Sequence, residues 1–270
     1  MTVLELAFSP CPNDTFIFHA WTHGLIPGAP AVNVTFADVD VTNTAAEQGR
    51  FDVVKVSYAA LPWLLERYRL LPCGGALGRG CGPLVLTADD RPDLDGARVA
   101  VPGERTTAYL LMRLWAAGQF PASIEVVPFA QIMAGVRDGR FDAGLVIHEA
   151  RFTYPRYGLR ALADLGQWWE RSTGHAIPLG AILARRELDA TALTDVLRAS
   201  VDYAFAHPEA SAGFVAAHAD EMDPDVQRQH IELYVNSFSR DLGDEGYAAA
   251  ELLLDRAHQA GLVPAFGPLR

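Results

Sequence analysis

The chain has 270 residues, half of them hydrophobic and 20% charged, a globular composition long enough to bury a large core. Its formal net charge of -11 argues against nucleic acid or an anionic membrane as partner, since both need a basic face, but leaves room for a small anionic substrate in a locally positive pocket. Cys11, Cys73 and Cys81 are an odd number without metal-ligand spacing, and no apolar run approaches the roughly 20 residues of a spanning helix.

The opening MTVLELAFSPCPND has no basic leader region and no long apolar segment, so a cytoplasmic protein with reduced thiols is expected. From there, LELAF predicts a strand that ends near Ser9, and PNDTFIFHAW predicts the helix after a Pro-bearing turn. VNVTFADV (32–39) predicts a second strand, TNTAAEQ a helix opening at Asn43, and FDVVKVSY a third strand. The pattern then repeats. ARVAVPGERTTAYLLMRLW (97–115) parallels the first strand and helix, SIEVVPFA (123–130) the second strand, and QIMAGVR followed by AGLVIHE the rest. The tetrapeptide GRFD stands at the same point in both copies, at 49–52 and 139–142.

Two β-α-β-α-β halves predict an α/β protein of two lobes with parallel sheets and a ligand cleft between them. The lobes are assigned as 1–88 plus 183–270, and 89–182. GGALGRGCGPLVLTA (74–88) and IPLGAILARRE (177–187) read as two crossings, with Gly80, Gly82 and Gly180 as hinge candidates. GALGRG (75–80) lacks the spacing of a phosphate loop. The chain from 189 onward reads as helices packed back on the first lobe. His207, His218, His230 and His258 lie there and read as surface or capping residues.

Ligands in open α/β sheets bind beyond the carboxyl ends of strands, where Ser9, Ser57, Gly103 and His148 are expected. His148 follows the apolar run GLVI directly and is the candidate general base; a satisfied histidine at a strand end is the plainer reading. Glu149 is expected on the opposite strand face, while Arg151, Tyr154 and Tyr157 in the following loop are expected to shape the pocket. Lys55 is the one lysine in the chain, every other basic position being arginine. A charge inside a strand needs a role, which makes Lys55 and the adjacent Ser57 candidates for substrate contact. Thr106 and Thr107 open a helix and either cap it or leave N–H groups for a carboxylate, as PNDTF does in the first half. Asn43 reads equally as a cap or a ligand contact.

The motifs SPCPNDTFIF, KVSYAAL, GGALGRGCGPLV, VAVPGERTTAYLL, HEARFTYPRYGL, PLGAILARRE and YVNSFS extend from residue 9 to about residue 239. Together they closely resemble the 1,4-dihydroxy-6-naphthoate synthase family of menaquinone biosynthesis by the futalosine pathway. The resemblance implies a periplasmic-binding-protein-like (type II) fold in a cytoplasmic carbon–carbon lyase that acts on cyclic dehypoxanthine futalosine without metal or organic cofactor. By motif, His148 resembles the family's proton acceptor; Lys55, Val56 and Ser57 resemble one substrate-binding segment, and Thr107 with Ala108 the other. Asn43 and Ser9 are added as substrate contacts from their positions. The rival expectations are chorismate dehydratase of the same pathway and a non-catalytic protein that binds a small anion. The assembly is expected to be a monomer or a homodimer.

Overall fold

The computed structural model describes residues 3–270. The chain opens with β1 (Leu4–Phe8), α1 (Pro12–Thr22), β2 (Val32–Phe36), α2 (Val39–Glu47) and β3 (Val53–Ser57). The short α3 (Leu61–Leu64), β4 (Tyr68–Leu70) and β5 (Ala76–Gly78) follow. Next come β6 (Leu84–Thr87), β7 (Arg98–Val101), α4 (Thr107–Trp115), β8 (Ser123–Val126), α5 (Phe129–Arg137) and β9 (Ala143–Val146). After these lie α6 (Ala150–Thr153), β10 (Arg160–Asp164), α7 (Leu165–Thr173) and β11 (Ile177–Arg185). The chain finishes with α8 (Ala190–Ala206), α9 (Ala212–His218), α10 (Pro224–Tyr234), α11 (Ser237–Arg240) and α12 (Gly243–Gln259).

Two compact units divide the chain. One runs through Gly78 and resumes at Pro178; the other spans Arg79–Ile177. Both crossings therefore fall earlier than the expected boundaries at 88 and 182. Sheet pairing gives the reason. β6 hydrogen-bonds to β9 and β10 in the second unit, whereas β11 pairs with β3 and β4 in the first, carrying 178–182 with it.

In the first unit the strand order is β2-β1-β3-β11-β4, with β5 also on β11. In the second it is β10-β6-β9-β7-β8. The expected repeat is visible as two parallel trios, β2-β1-β3 and β8-β7-β9. The sheets are not wholly parallel, however. Each trio is extended by an antiparallel strand taken from a crossing segment, β11 on β3 and β6 on β9.

GRFD does the same structural work in both units. Its glycine, Gly49 or Gly139, ends a helix with φ of 68° or 72°, the left-handed turn that glycine takes without a Cβ penalty. Phe51 and Phe141 are buried. The aspartates then bridge neighbouring strands: Asp52 Oδ2 accepts from Glu5 N at 2.9 Å, and Asp142 Oδ2 from Arg98 N at 2.8 Å. The backbone amides of Asp52 and Asp142 donate to the carbonyls of Glu5 and Arg98 in return.

Residues 12–21 of α1 are all buried, because the helix lies between the first sheet and the C-terminal helices. Phe18 stacks on Phe8 of β1 at 4.4 Å between centroids. On the other side Ser200 of α8 donates its hydroxyl to Ile17 O at 2.6 Å and accepts from Trp21 N at 3.1 Å. The core cluster joins Phe8, Ile17 and Phe18 to Ile182, Leu197 and Val201. Burial of each such side chain contributes about 1.5–3 kcal/mol. In the second unit Ile132 and Val136 of α5 pack with Leu86, Ala100 and Val146 of the sheet.

Gly82 and Gly180 are required by packing. A Cβ on Gly82 meets the Gly166 backbone at 2.2 Å, and one on Gly180 meets Lys55 Cε at 2.8 Å. Both are positions of close approach within one unit, unlike Gly80, which has open space around it.

Candidate active site

In the first unit, β3 carries Lys55, Val56 and Ser57 to its carboxyl end, and all three are buried. A buried ammonium needs a counter-charge. Lys55 Nζ donates to Asp14 Oδ1, in the first turn of α1. The same carboxylate accepts from Ser9 Oγ at 2.7 Å through Oδ2 and from Asn13 Nδ2 at 2.7 Å through Oδ1. Asn13 Oδ1 in turn lies 2.9 Å from His230 Nε2 of α10. An amide oxygen only accepts, so the proton of that bond is on His230 Nε2.

Sequence reasoning missed three members of this group. His230 is fully buried rather than a surface or capping residue, because α10 packs against α1. In sequence, Asp14 and Asn13 stand out only as part of a helix start. The usable signal was the lysine itself, since a strand-embedded ammonium calls for a carboxylate from a neighbouring buried element. The first turn of α1 also differs from the expected anion seat, because it already holds the Asp14 carboxylate.

Asn43 stands inside α2 rather than at its start, and it is fully buried. Asp38 takes the N-cap position. Asn43 Oδ1 accepts from Ser57 N at 2.8 Å, and its Nδ2 donates to Ser57 Oγ at 3.2 Å. The pair fixes Ser57 in place and leaves the hydroxyl proton to be given to another acceptor. Ser9, just beyond β1, spends its hydroxyl proton on Asp14.

In the second unit, Thr106 is the N-cap of α4. Its hydroxyl accepts from Tyr109 N at 3.1 Å and donates to Gly103 O at 2.7 Å. Thr107 and Ala108 occupy the first helical positions and are buried. N–H groups at such positions lack intrahelical acceptors and carry the positive end of the helix dipole.

β9 ends at Val146, two residues before His148. His148 is half-buried and has φ 55°, the one positive φ outside glycine among the described residues. Left-handed backbone costs an ordinary residue about 1–2 kcal/mol, and strain of this kind concentrates at functional sites. The His148 ring packs near Phe129 at 5.6 Å between centroids. Its carbonyl accepts from Arg151 N at 3.2 Å. Glu149 is not on a strand face as expected; it precedes α6 in the turn that His148 begins. Arg151 braces the unit, donating to Gly82 O at 2.7 Å and to Asp164 Oδ2 at 2.5 Å. Tyr154 and Tyr157 pack on the apolar core of the unit.

The three thiols are buried, and none forms a disulfide among the described residues. Burial pushes Cys73 and Cys81 up to about 12. Among the described residues no helix is long and apolar enough to cross a membrane.

Residues 4–259 match the family described as menaquinone biosynthesis. A protein of Streptomyces coelicolor named 1,4-dihydroxy-6-naphtoate synthase is 62% identical, covering 98% of this chain and 96% of its own. A protein of the same name from Thermus thermophilus is 48% identical over 97% and 96%. Among solved structures, a protein of Archaeoglobus fulgidus has a TM-score of 0.91 at 31% identity, covering 96% of this chain and 98% of its own. The alkanesulfonate-binding protein SsuA of Xanthomonas axonopodis has a TM-score of 0.75 at 14% identity over 100% and 96%, which shows the periplasmic-binding-protein fold and nothing of ligand. By sequence along nearly its whole length, the chain belongs to the menaquinone-biosynthesis family.

Proposed function

We propose that this protein is a 1,4-dihydroxy-6-naphthoate synthase, a cytoplasmic carbon–carbon lyase that converts cyclic dehypoxanthine futalosine. The observation that carries this reading is the 62% identity, across 98% of the chain, to a relative bearing that name. The site chemistry supports it: a strained histidine in one unit, and a buried lysine beside a braced serine in the other.

The substrate is a small anionic molecule; the N–H groups at Thr107 and Ala108 are substrate contacts in the second unit, suited to a carboxylate, and the Ser57 hydroxyl is a contact in the first. Lys55, Val56, Asn43 and Ser9 complete the binding segment, Asn43 by fixing Ser57 and Ser9 through Asp14. His148 accepts a proton from the substrate as general base. That starts the carbon–carbon cleavage which aromatises the product ring. The Lys55 ammonium stabilises negative charge as it develops. The protein works as a monomer or homodimer, with neither nucleic acid nor membrane as partner.

Purified protein incubated with cyclic dehypoxanthine futalosine is expected to yield 1,4-dihydroxy-6-naphthoate by mass spectrometry. Product from chorismate alone would move the assignment to chorismate dehydratase, and both compounds recovered unchanged would make this a binding protein.

A further inference from the structure

Lys55 is the one lysine in 270 residues, and its side chain is 7% exposed in a unit where basic groups are otherwise arginine. An ammonium on a flexible four-carbon stem has no fixed direction of its own. Its placement is set by what it binds. Here that is the Asp14 carboxylate, 2% exposed, which also accepts from Ser9 and Asn13, while Asn13 is held by His230. These partners come from the turn after β1 and from α1, and α10 joins them through Asn13, which His230 holds from 217 positions away. Gly180 of β11 lies against the Lys55 stem: a Cβ there would meet Lys55 Cε at 2.8 Å.

We infer that Asp14 is a positioning residue for the reaction, fixing the Lys55 ammonium toward substrate, and that Asn13 and His230 fix Asp14. The inference rests on the proposed function, in which Lys55 meets the substrate. Asp14 does not touch the substrate; it acts through Lys55. His230 serves as a donor through Nε2 and takes no proton from substrate. A residue that supplies an equivalent N–H therefore replaces it.

The single lysine makes the test direct. In protein labelled with nitrogen-15 at lysine Nζ, the only side-chain ammonium signal belongs to Lys55. A held, buried ammonium exchanges slowly and gives a sharp signal, which Asp14→Asn is expected to broaden or remove. In turnover of cyclic dehypoxanthine futalosine, Asp14→Asn is expected to lower kcat/KM at least tenfold. In a Lys55→Ala background the same substitution is expected to change it less than twofold, because the group it positions is gone. His230→Gln retains a side-chain N–H and is expected to keep both signal and rate, while His230→Leu loses part of each. Thermal unfolding of each variant separates loss of fold from loss of position. An ammonium signal indifferent to Asp14→Asn, or equal effects of Asp14→Asn in both backgrounds, overturns the inference. An Asp14-dependent signal in wild-type protein that forms no product instead overturns the reading of function and leaves the Asp14–Lys55 arrangement standing.

Discussion

The ends of β3 and β9 occupy the same place in two copies of one topology, yet they are built in opposite ways. The end of β3 is held by hydrogen bonds: Lys55 on Asp14, and the amide and hydroxyl of Ser57 on Asn43. The end of β9 instead turns through a left-handed histidine that remains half-buried. The contrast matches two tasks. A binding surface gains from groups fixed before the ligand arrives, since less freedom is lost on binding. A proton-transfer group must present a ring nitrogen to the substrate, the task proposed for His148 on its turn. The two units share one frame, and under the proposed function side chains on the two strand ends divide the work.

The sharpest way to break this comparison is at His148. Both His148→Ala and His148→Gly are expected to lower turnover about 10²–10⁴-fold, the usual cost of losing a positioned base. They should differ in stability. Glycine takes φ 55° without a Cβ penalty, so His148→Gly is expected to be about 1 kcal/mol more stable than His148→Ala in denaturant unfolding. Equal stability would remove the claim of strain.

At the other end, Asn43→Ala frees the Ser57 amide and hydroxyl while leaving both in the chain. It is expected to raise KM about tenfold, near the worth of one or two hydrogen bonds, with a smaller change in kcat. A change confined to kcat would contradict a binding role for this strand end.

The GRFD aspartates sharpen the comparison by doing the same job in both units. Asp52→Asn and Asp142→Asn are each expected to destabilise by about 1–2 kcal/mol through weakened bonds to the neighbouring strand, with little effect on turnover of the folded protein. Hydrogen bonds from Arg98 hold the Asp142 carboxyl at about 2, well below the usual range. A depressed carboxyl stabilises the fold above its ordinary value of about 4 and loses that contribution as pH falls through about 2. The stability difference between wild type and Asp142→Asn should therefore shrink between pH 4 and pH 2 in thermal unfolding.

The smallest effect concerns the thiols. With Cys73 and Cys81 pushed up to about 12, native protein at pH 8 should label at neither within minutes, whereas unfolded protein should label at all three. Rapid native labelling of Cys73 or Cys81 would show that the units open locally around them.

Periodicity made the two parallel trios legible before any coordinates, because strand and helix patterns depend on near neighbours. The antiparallel strands β6 and β11 were misplaced between units, since a short apolar run does not say which sheet edge accepts it. Lys55 was visible as an anomaly of composition. Its partners were not, because Asp14 and His230 join it only once α1 and α10 are packed. Asn43 was misread as a helix start for want of an N-cap signal, and Asp38 supplied that position without a side-chain bond. The left-handed turn at His148 carries no marker in sequence, since glycine, its usual occupant, is absent there.

The division of work between the two strand ends is measured most directly by calorimetric binding of cyclic dehypoxanthine futalosine, beside turnover, for His148→Ala and Ser57→Ala. The account predicts that His148→Ala binds within about threefold of wild type and forms almost no product, as expected for loss of a group used only in the chemical step. It predicts that Ser57→Ala binds about tenfold more weakly and retains most of its kcat. Wild-type turnover by His148→Ala, or loss of the same parameter in both variants, would contradict it.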